Sequence, residues 1–314
     1  MRSRATRHVF GPVPSRRLGR SLGVDLVPFK TCSYDCIYCQ LGRTTEKTIR
    51  RKAWVPVGEV LDQLRAKMDS RPDYITISGS GEPTLHSGLG EIIAGIRGMC
   101  DIPIAVLTNG SLLWDPEVRR ALVGADLVMP SLDAGDEAMF EAVNRPHRGI
   151  TFENMLAGLE AFRGEFDGGL WLEVMLLAGH TGIEAHARKI AGRVRRIRPD
   201  RVQLNTAVRP PAEEYAVPVA AGRLKALARL FGPRASVIAE YRGRRGKGGR
   251  LESDQRDILA THGRRPGTEA DLRASVGFGP VEITKHLDAL VTMGKIVRRG
   301  HGGEAFYSVK GMGP

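Results

Sequence analysis

The sequence predicts an α/β protein with a mostly parallel sheet or barrel, followed by a small separate C-terminal domain. Short apolar strands alternate with amphipathic helices from about residue 20 to 240, and the composition changes sharply at Tyr241. Since consecutive βα units place their strands side by side and parallel, this alternation favours a parallel sheet covered by helices. The chain has 314 residues, enough for one large core and a smaller second one.

The strands are expected where runs rich in Ile, Val and Leu are bounded by Gly, Pro, Asn or Asp. They are Leu22–Leu26, Tyr74–Ser78, Ile104–Thr108, Leu127–Ser131, Leu170–Leu176, Val202–Leu204 and Val237–Ala239. Helices are predicted between them, where apolar side chains recur every three or four residues. They are Val57–Lys67, Leu89–Arg97, Pro116–Leu122, Glu137–Ala142, Phe152–Phe162 and Ile183–Ile197.

The composition divides the chain into three parts. These are a main domain at 1–241, a linker at 242–252 and a C-terminal domain at 253–314. The linker begins with nine residues that include four glycines and no apolar residue, a composition typical of flexible segments.

The C-terminal part has the pattern of three helices followed by a hairpin. The helices are expected near 254–262, 268–275 and 280–292, and the strands at 295–299 and 305–309. Ile283, Leu287, Leu290 and Val291 are expected on one face of the third helix. This order of elements resembles a winged-helix domain, a fold that serves many functions.

The net charge of +12 is concentrated in two short segments. Residues 1–20 hold six arginines and no acidic residue, and the linker is also strongly basic. Both segments are either solvated or attracted to a polyanion such as RNA or DNA. No run of about 18 apolar residues and no secretory signal is present, so a cytoplasmic protein without a membrane partner is expected.

Three of the four cysteines fall within eight residues, in the segment Thr31-Cys32-Ser33-Tyr34-Asp35-Cys36-Ile37-Tyr38-Cys39 after the first strand. Such clustering indicates metal ligation rather than a disulfide framework. Three thiolates can hold three irons of a cubane cluster and leave the fourth iron open to another ligand. Structural zinc requires four ligands, and no further Cys or His occurs before His86, so an iron–sulfur cluster is favoured. Cys100 is expected to be a buried structural thiol.

The spacing Cys-x3-Cys-x2-Cys with an aromatic residue before the last cysteine resembles the radical S-adenosylmethionine (SAM) superfamily. The wider segment 10–44 is similar to a subgroup of iron–sulfur oxidoreductases related to the wyosine-base synthases of tRNA. The resemblance covers about residues 9–240. It implies a 4Fe–4S cluster held by Cys32, Cys36 and Cys39 inside a partial (β/α)6 barrel of TIM type.

The resemblance also implies a SAM site at the carboxyl ends of the strands. Ser80-Gly81-Glu82-Pro83 looks like the superfamily's Gly-Gly-Glu motif, with Ser in place of the first Gly. Small residues allow close approach of the backbone, and a carboxylate can accept a hydrogen bond from an ammonium group. Polar residues at other strand ends are further candidates for the cofactor site. These are Asn109, Ser131 and Asp133, with Glu173 and Asn205 as weaker candidates, while Ser15-Arg16-Arg17 is either an anion site or an exposed arm.

The activity implied is reductive cleavage of SAM. An electron from reduced flavodoxin or ferredoxin would break the C5′–S bond, and the 5′-deoxyadenosyl radical would take hydrogen from a substrate. Only Cys100 remains for a second cluster of the kind found in wyosine-base synthases, so the same reaction is not expected. RNA modification is the first hypothesis, with a protein or peptide substrate and a redox-sensing DNA-binding regulator as alternatives.

Overall fold

A computed structural model describes residues 8–15, 17–238, 266–276 and 280–310 of the chain. The first ten strands are β1 (Val9–Ser15), β2 (Gly19–Val24), β3 (Thr31–Cys32), β4 (Glu46–Lys47), β5 (Tyr74–Ile77), β6 (Ile104–Thr108), β7 (Leu127–Pro130), β8 (Gly169–Met175), β9 (Arg201–Asn205) and β10 (Ala235–Val237). Eight of them form one sheet in the order β1-β2-β5-β6-β7-β8-β9-β10. Every pair in it is parallel except β1 with β2.

Helices connect the parallel strands. They are α1 (Val57–Arg65), α2 (Leu89–Met99), α3 (Pro116–Leu122), α4 (Glu137–Val143), α5 (Phe152–Glu165), α6 (Glu184–Ile197) and α7 (Ala221–Ala228). The predicted α/β fold with a parallel sheet is therefore confirmed, and the alternation is consistent with a partial barrel. Sequence patterning had not indicated α7.

Local sequence explains where several helices begin and which face they bury. Asp115, Asp136 and Thr151 cap α3, α4 and α5 by accepting hydrogen bonds from backbone N–H groups of the first turn. The arginine-rich α6 buries an apolar stripe that includes Ile190 and Val194 in the main hydrophobic core. Burying one side chain of this size contributes about 1.5–3 kcal/mol to the free energy of folding. The buried stripe therefore stabilises α6 on the core although few of its residues are apolar.

Part of the basic N-terminal segment forms a strand that the sequence did not predict. Residues 9–15 form β1, an edge strand that pairs with β2 and has an irregular register between Phe10 and Val13. The segment contains two prolines and Gly11, which adopts φ +91°. Because proline and glycine are rare in regular strands, the sequence pattern did not indicate β1. An edge strand tolerates them because one side of its backbone has no ladder to complete.

The C-terminal region contains β11 (Gly267–Thr268), α8 (Glu269–Val276), α9 (Pro280–Thr292), β12 (Ile296–His301) and β13 (Glu304–Val309). Its antiparallel sheet has the order β11-β13-β12. Gly302 and Gly303, both at positive φ, form the two-residue turn of the hairpin. Ile283, Leu287 and Leu290 are buried as predicted, but Val291 is exposed. The predicted helix 254–262 and the linker 242–252 lie outside the described residues.

Candidate active site

A cavity of about 420 Å³ opens at the carboxyl ends of the parallel strands. All nine residues predicted for the cluster and cofactor sites line it, and the structure thus brings together segments far apart in sequence. They are Cys32, Cys36, Cys39, Ser80, Gly81, Glu82, Asn109, Ser131 and Asp133. This volume is within the range typical of small-molecule sites.

Backbone hydrogen bonds fix the loop that carries the three cysteines. The short strands β3 and β4 pair in parallel at its base. Its middle lies against the segment after α4, because Ile37 N–H donates to the Val143 carbonyl and His147 N–H donates to the Ser33 carbonyl, at 3.0 and 2.8 Å. These backbone hydrogen bonds therefore hold the loop against the rest of the main domain.

Each of the three sulfurs accepts a hydrogen bond from a different nitrogen donor. Asn109 Nδ2 lies 3.5 Å from Cys32 Sγ, and Asn144 Nδ2 lies 3.5 Å from Cys36 Sγ. The third donor is Lys30 Nζ, 3.4 Å from Cys39 Sγ, which also donates to the Gly42 carbonyl. Hydrogen bonds to ligand sulfurs are one of the means by which proteins set the reduction potential of an iron–sulfur cluster.

The thiols fit an iron–sulfur cluster by their chemistry and location. Burial, together with the charge of Glu82, raises the pKa of Cys32 to about 12, and burial raises the pKa of Cys36 well above its usual value. A coordinating thiol loses its proton, so metal binding must displace these protons. Among the described residues, no group of three or more His, Cys, Asp or Glu side chains is placed so that it could hold a single metal ion.

The segment Ser80-Gly81-Glu82 holds the cysteine loop against the barrel. Lys30 N–H donates to the Ser80 carbonyl at 2.7 Å, and Glu82 N–H donates to the Thr31 carbonyl at 3.1 Å. A Cβ on Gly81 would lie 1.8 Å from the Thr31 carbonyl oxygen, so only glycine fits at this position. The Ser80 hydroxyl donates to the buried Asp25 carboxylate.

The Glu82 carboxylate joins the ends of two neighbouring strands. It accepts hydrogen bonds from the Thr84 and Thr108 hydroxyls, both at 2.6 Å, and from the backbone N–H groups of Thr84 and Asn109, at 3.0 and 2.7 Å. Burial raises the pKa of Glu82, while these hydrogen bonds oppose the shift. Glu82 thus organises the cavity wall in addition to lining it.

Asp133 occupies a corresponding position after β7. Its carboxylate accepts hydrogen bonds from the Tyr38 hydroxyl, from Asn144 Nδ2 at 2.9 Å and from the Met175 N–H at 2.8 Å. Burial raises the pKa of Asp133 to about 6. Through Tyr38 and Asn144 the carboxylate is connected to the cysteine loop. The backbone of Ser131, two residues earlier, forms an isolated parallel β-bridge with that of Glu173.

Arg17 is part of the cavity wall and not of an exposed arm. Its Nη1 atom lies 2.6 Å from Glu173 Oε2 and 3.1 Å from Gln203 Oε1. Asn205 Nδ2 donates to the other oxygen of Glu173, at 3.2 Å. Arg17 therefore binds a carboxylate of this chain, that of Glu173. Arg16 lies outside the described residues.

Cys100 follows α2 at the predicted helix–strand junction, and its Sγ lies 3.7 Å from the Ile96 carbonyl oxygen. The side chain is half-buried rather than fully buried as expected. It is not among the residues that line the cavity.

Several residues of the cavity and its sulfur contacts escaped the sequence analysis. Lys30 is buried despite its charge, and Asn144 follows α4 with no motif around it. Arg209 and Asp271 also line the cavity, although Asp271 belongs to the C-terminal region. Only the position of Lys30 directly before the cysteine segment offered a signal.

Comparison with known proteins identifies the family. The model of the "Radical SAM superfamily" matches residues 26–190, more than half of the chain. The chain belongs to the radical SAM superfamily. Its cofactors are accordingly a 4Fe–4S cluster and S-adenosylmethionine, which members of the superfamily bind.

The chain covers different shares of the proteins to which it is similar. A UPF0026 protein of Methanocaldococcus jannaschii is 33% identical over 95% of the chain and 94% of the relative. A Brachyspira hyodysenteriae protein named GTPase Obg is 37% identical over 97% of the chain, which spans only 45% of that relative. Among solved structures, a radical SAM methyltransferase from Sphaerobacter thermophilus is similar with a TM-score of 0.55 and 20% identity, over 69% of this chain and 65% of the other. This last likeness concerns the fold alone.

Within the described residues, no helix combines the length and apolar character needed to cross a membrane.

Proposed function

We propose that this radical SAM protein is an enzyme that modifies RNA, with its cluster held by Cys32, Cys36 and Cys39. The observation that carries the proposal is one cavity in which three half-buried thiols meet the polar ends of the parallel strands. With cluster and SAM bound, the cofactors supply a 5′-deoxyadenosyl radical when one electron breaks the C5′–S bond. A flavodoxin or ferredoxin is the proposed electron donor.

The residues of the chain would act by binding and orienting. Ser80, Gly81 and Glu82 form the wall nearest the loop, with Asn109, Ser131 and Asp133 at the neighbouring strand ends. The enclosed site would exclude water and other reactants from the radical. With Cys32, Cys36 and Cys39 as its protein ligands, the cluster would keep one iron open to bind SAM.

The choice of RNA rests on charge and on the C-terminal region. We assign this region to the winged-helix class on the basis of α8, α9 and the sheet β11-β13-β12. Lys295, Arg298 and Arg299 are exposed on or beside its hairpin and offer contacts to phosphates. The proposed relation to wyosine-base synthases points to tRNA, although a second cluster with three cysteines is ruled out by the sequence.

The test is mass spectrometry of tRNA nucleosides from a strain that lacks the protein. Loss of one modified nucleoside, restored by the wild-type gene but not by a Cys36→Ala variant, is the expected result. An unchanged nucleoside profile, together with altered peptides in the same strain, would favour the protein-substrate alternative. Altered transcription that a Glu82→Ala variant still restores would favour the regulator.

A further inference from the structure

Arg209, a residue of the cavity wall, carries a buried nitrogen atom without a hydrogen-bond partner among the described residues. Arg209 follows β9 by four residues and lines the cavity, and its side chain is only 10% exposed. Its Nη2 atom pairs with Asp271 Oδ2 at 3.3 Å. Its Nε atom is buried and has no hydrogen-bond partner among the described residues. Such a donor costs about 1–3 kcal/mol when it is left unsatisfied, and buried donors of this kind require an explanation.

The partner of Arg209 is fixed in place by the start of α8. Thr268 N–H donates to Asp271 Oδ2 at 3.2 Å, while Asp271 N–H donates to Thr268 Oγ1 at 3.1 Å. This reciprocal capping arrangement orients the Asp271 carboxylate. Nearby, His301 Nε2 lies 3.2 Å from the Ala207 carbonyl oxygen. The C-terminal region therefore contacts the segment after β9 at two points and holds the guanidinium group in the cavity wall.

We infer that Arg209 Nε binds an anionic oxygen of the substrate, in the same cavity as the cysteines. The guanidinium group remains charged and is a donor only, so its missing partner must be an acceptor. An anionic oxygen forms the stronger, charge-assisted hydrogen bond there. The identity of that anion as a phosphate of RNA rests on the proposed function. The carboxylate of SAM is the other source of the same chemistry, and the two sources can be separated by experiment.

The first measurement uses inorganic phosphate as the probe. The full chain is reconstituted anaerobically, and its melting temperature is recorded in phosphate and in chloride of equal ionic strength. We expect phosphate to raise the melting temperature of the wild type, because a ligand that binds only the folded state stabilises it. Arg209→Met should lose this shift. Arg209→Gln, which keeps one donor for Asp271, should lose it too, even if Arg209→Met folds poorly.

Arg163→Met is the matched control. Arg163 pairs with Asp200 at 2.9 Å, as Arg209 does with Asp271, but it does not line the cavity. It should keep the phosphate shift of the wild type. A phosphate shift of the same size in all four proteins would overturn the inference.

The second measurement identifies the source of the anion. Dissociation constants for SAM and for tRNA are determined with the same reconstituted proteins. Loss of one charge-assisted hydrogen bond should weaken tRNA binding by Arg209→Met roughly 10- to 150-fold and leave SAM binding unchanged. A loss confined to SAM would overturn the substrate role. An Arg209-dependent phosphate shift without any tRNA binding would support the anion site and contradict the proposed RNA substrate.

Discussion

Two parts of the same cavity wall are assembled from the chain in opposite ways. The cysteine part comes from eight consecutive residues, whose sulfurs each accept one hydrogen bond from a nitrogen donor. The Arg209 part joins residues separated by 62 positions and leaves one donor without a partner among the residues that the structure describes. The first part is a local motif that the cofactor chemistry requires. The second is a contact between barrel and C-terminal region, where the substrate of this particular chain can be selected.

The largest effect is expected at the cysteine part. Replacing Cys32, Cys36 or Cys39 by Ala should abolish the cluster, since thiolates are its protein ligands. The wild type, reconstituted anaerobically, should hold about four irons and four sulfides per chain, as a 4Fe–4S cluster does. Iron and sulfide analysis measures this directly. Cys100→Ala serves as the control, and loss of iron from that variant would contradict the ligand assignment.

Glu82→Ala should reduce both stability and SAM binding. The substitution leaves the N–H group of the buried Thr84 without its acceptor, which costs about 1–3 kcal/mol in the free energy of unfolding. Chemical denaturation measures this loss, and equilibrium dialysis measures the dissociation constant for SAM. Glu91→Ala, at an exposed site on α2, should change neither. An unchanged affinity for SAM in Glu82→Ala would remove Glu82 from the cofactor site.

Lys30→Met should make the midpoint potential of the cluster more negative. The cation beside Cys39 Sγ favours the reduced state, which carries one more negative charge. A change of tens of millivolts is expected, because about 59 mV corresponds to a tenfold change for a one-electron couple. Redox titration followed by electron paramagnetic resonance measures it.

Two variants complete the Lys30 test. Lys30→Arg keeps the charge and should restore most of the potential, whereas Lys189→Met removes an exposed charge on α6 and should leave the potential unchanged. A potential that is the same in Lys30→Met as in the wild type would show that this contact does not tune the cluster.

The smallest effect is expected on the hairpin. Arg298→Gln with Arg299→Gln should weaken tRNA binding slightly and lower the slope of log affinity against log salt by about 0.7–0.9 per lost phosphate contact. These arginines lie exposed on β12, outside the cavity. Fluorescence anisotropy at several salt concentrations measures the slope. Salt-resistant, sequence-specific binding of duplex DNA by the full chain would instead support the regulator alternative.

The contrast between the two parts also explains what the sequence could and could not predict. The strand β6 was predicted at its observed bounds, because an apolar run between Pro103 and Asn109 is a local signal. The cysteines were predicted from their spacing, Glu82 from the resemblance of its segment to the Gly-Gly-Glu motif, and Asp133 from its position at a strand end. All of them line the cavity. The positions of Arg17 and Arg209 in the cavity wall could not be predicted from the sequence. Each side chain is held there by a carboxylate more than 60 positions away in the chain.

Reductive cleavage of SAM by this chain is the step on which its proposed enzymatic function depends. Reconstituted protein is incubated with dithionite and SAM under anaerobic conditions, and 5′-deoxyadenosine is quantified by liquid chromatography and mass spectrometry. We expect 5′-deoxyadenosine from the wild type and from Cys100→Ala, and none from Cys36→Ala. A wild-type protein that holds a complete cluster and binds SAM, yet forms no 5′-deoxyadenosine, would refute the proposed radical chemistry.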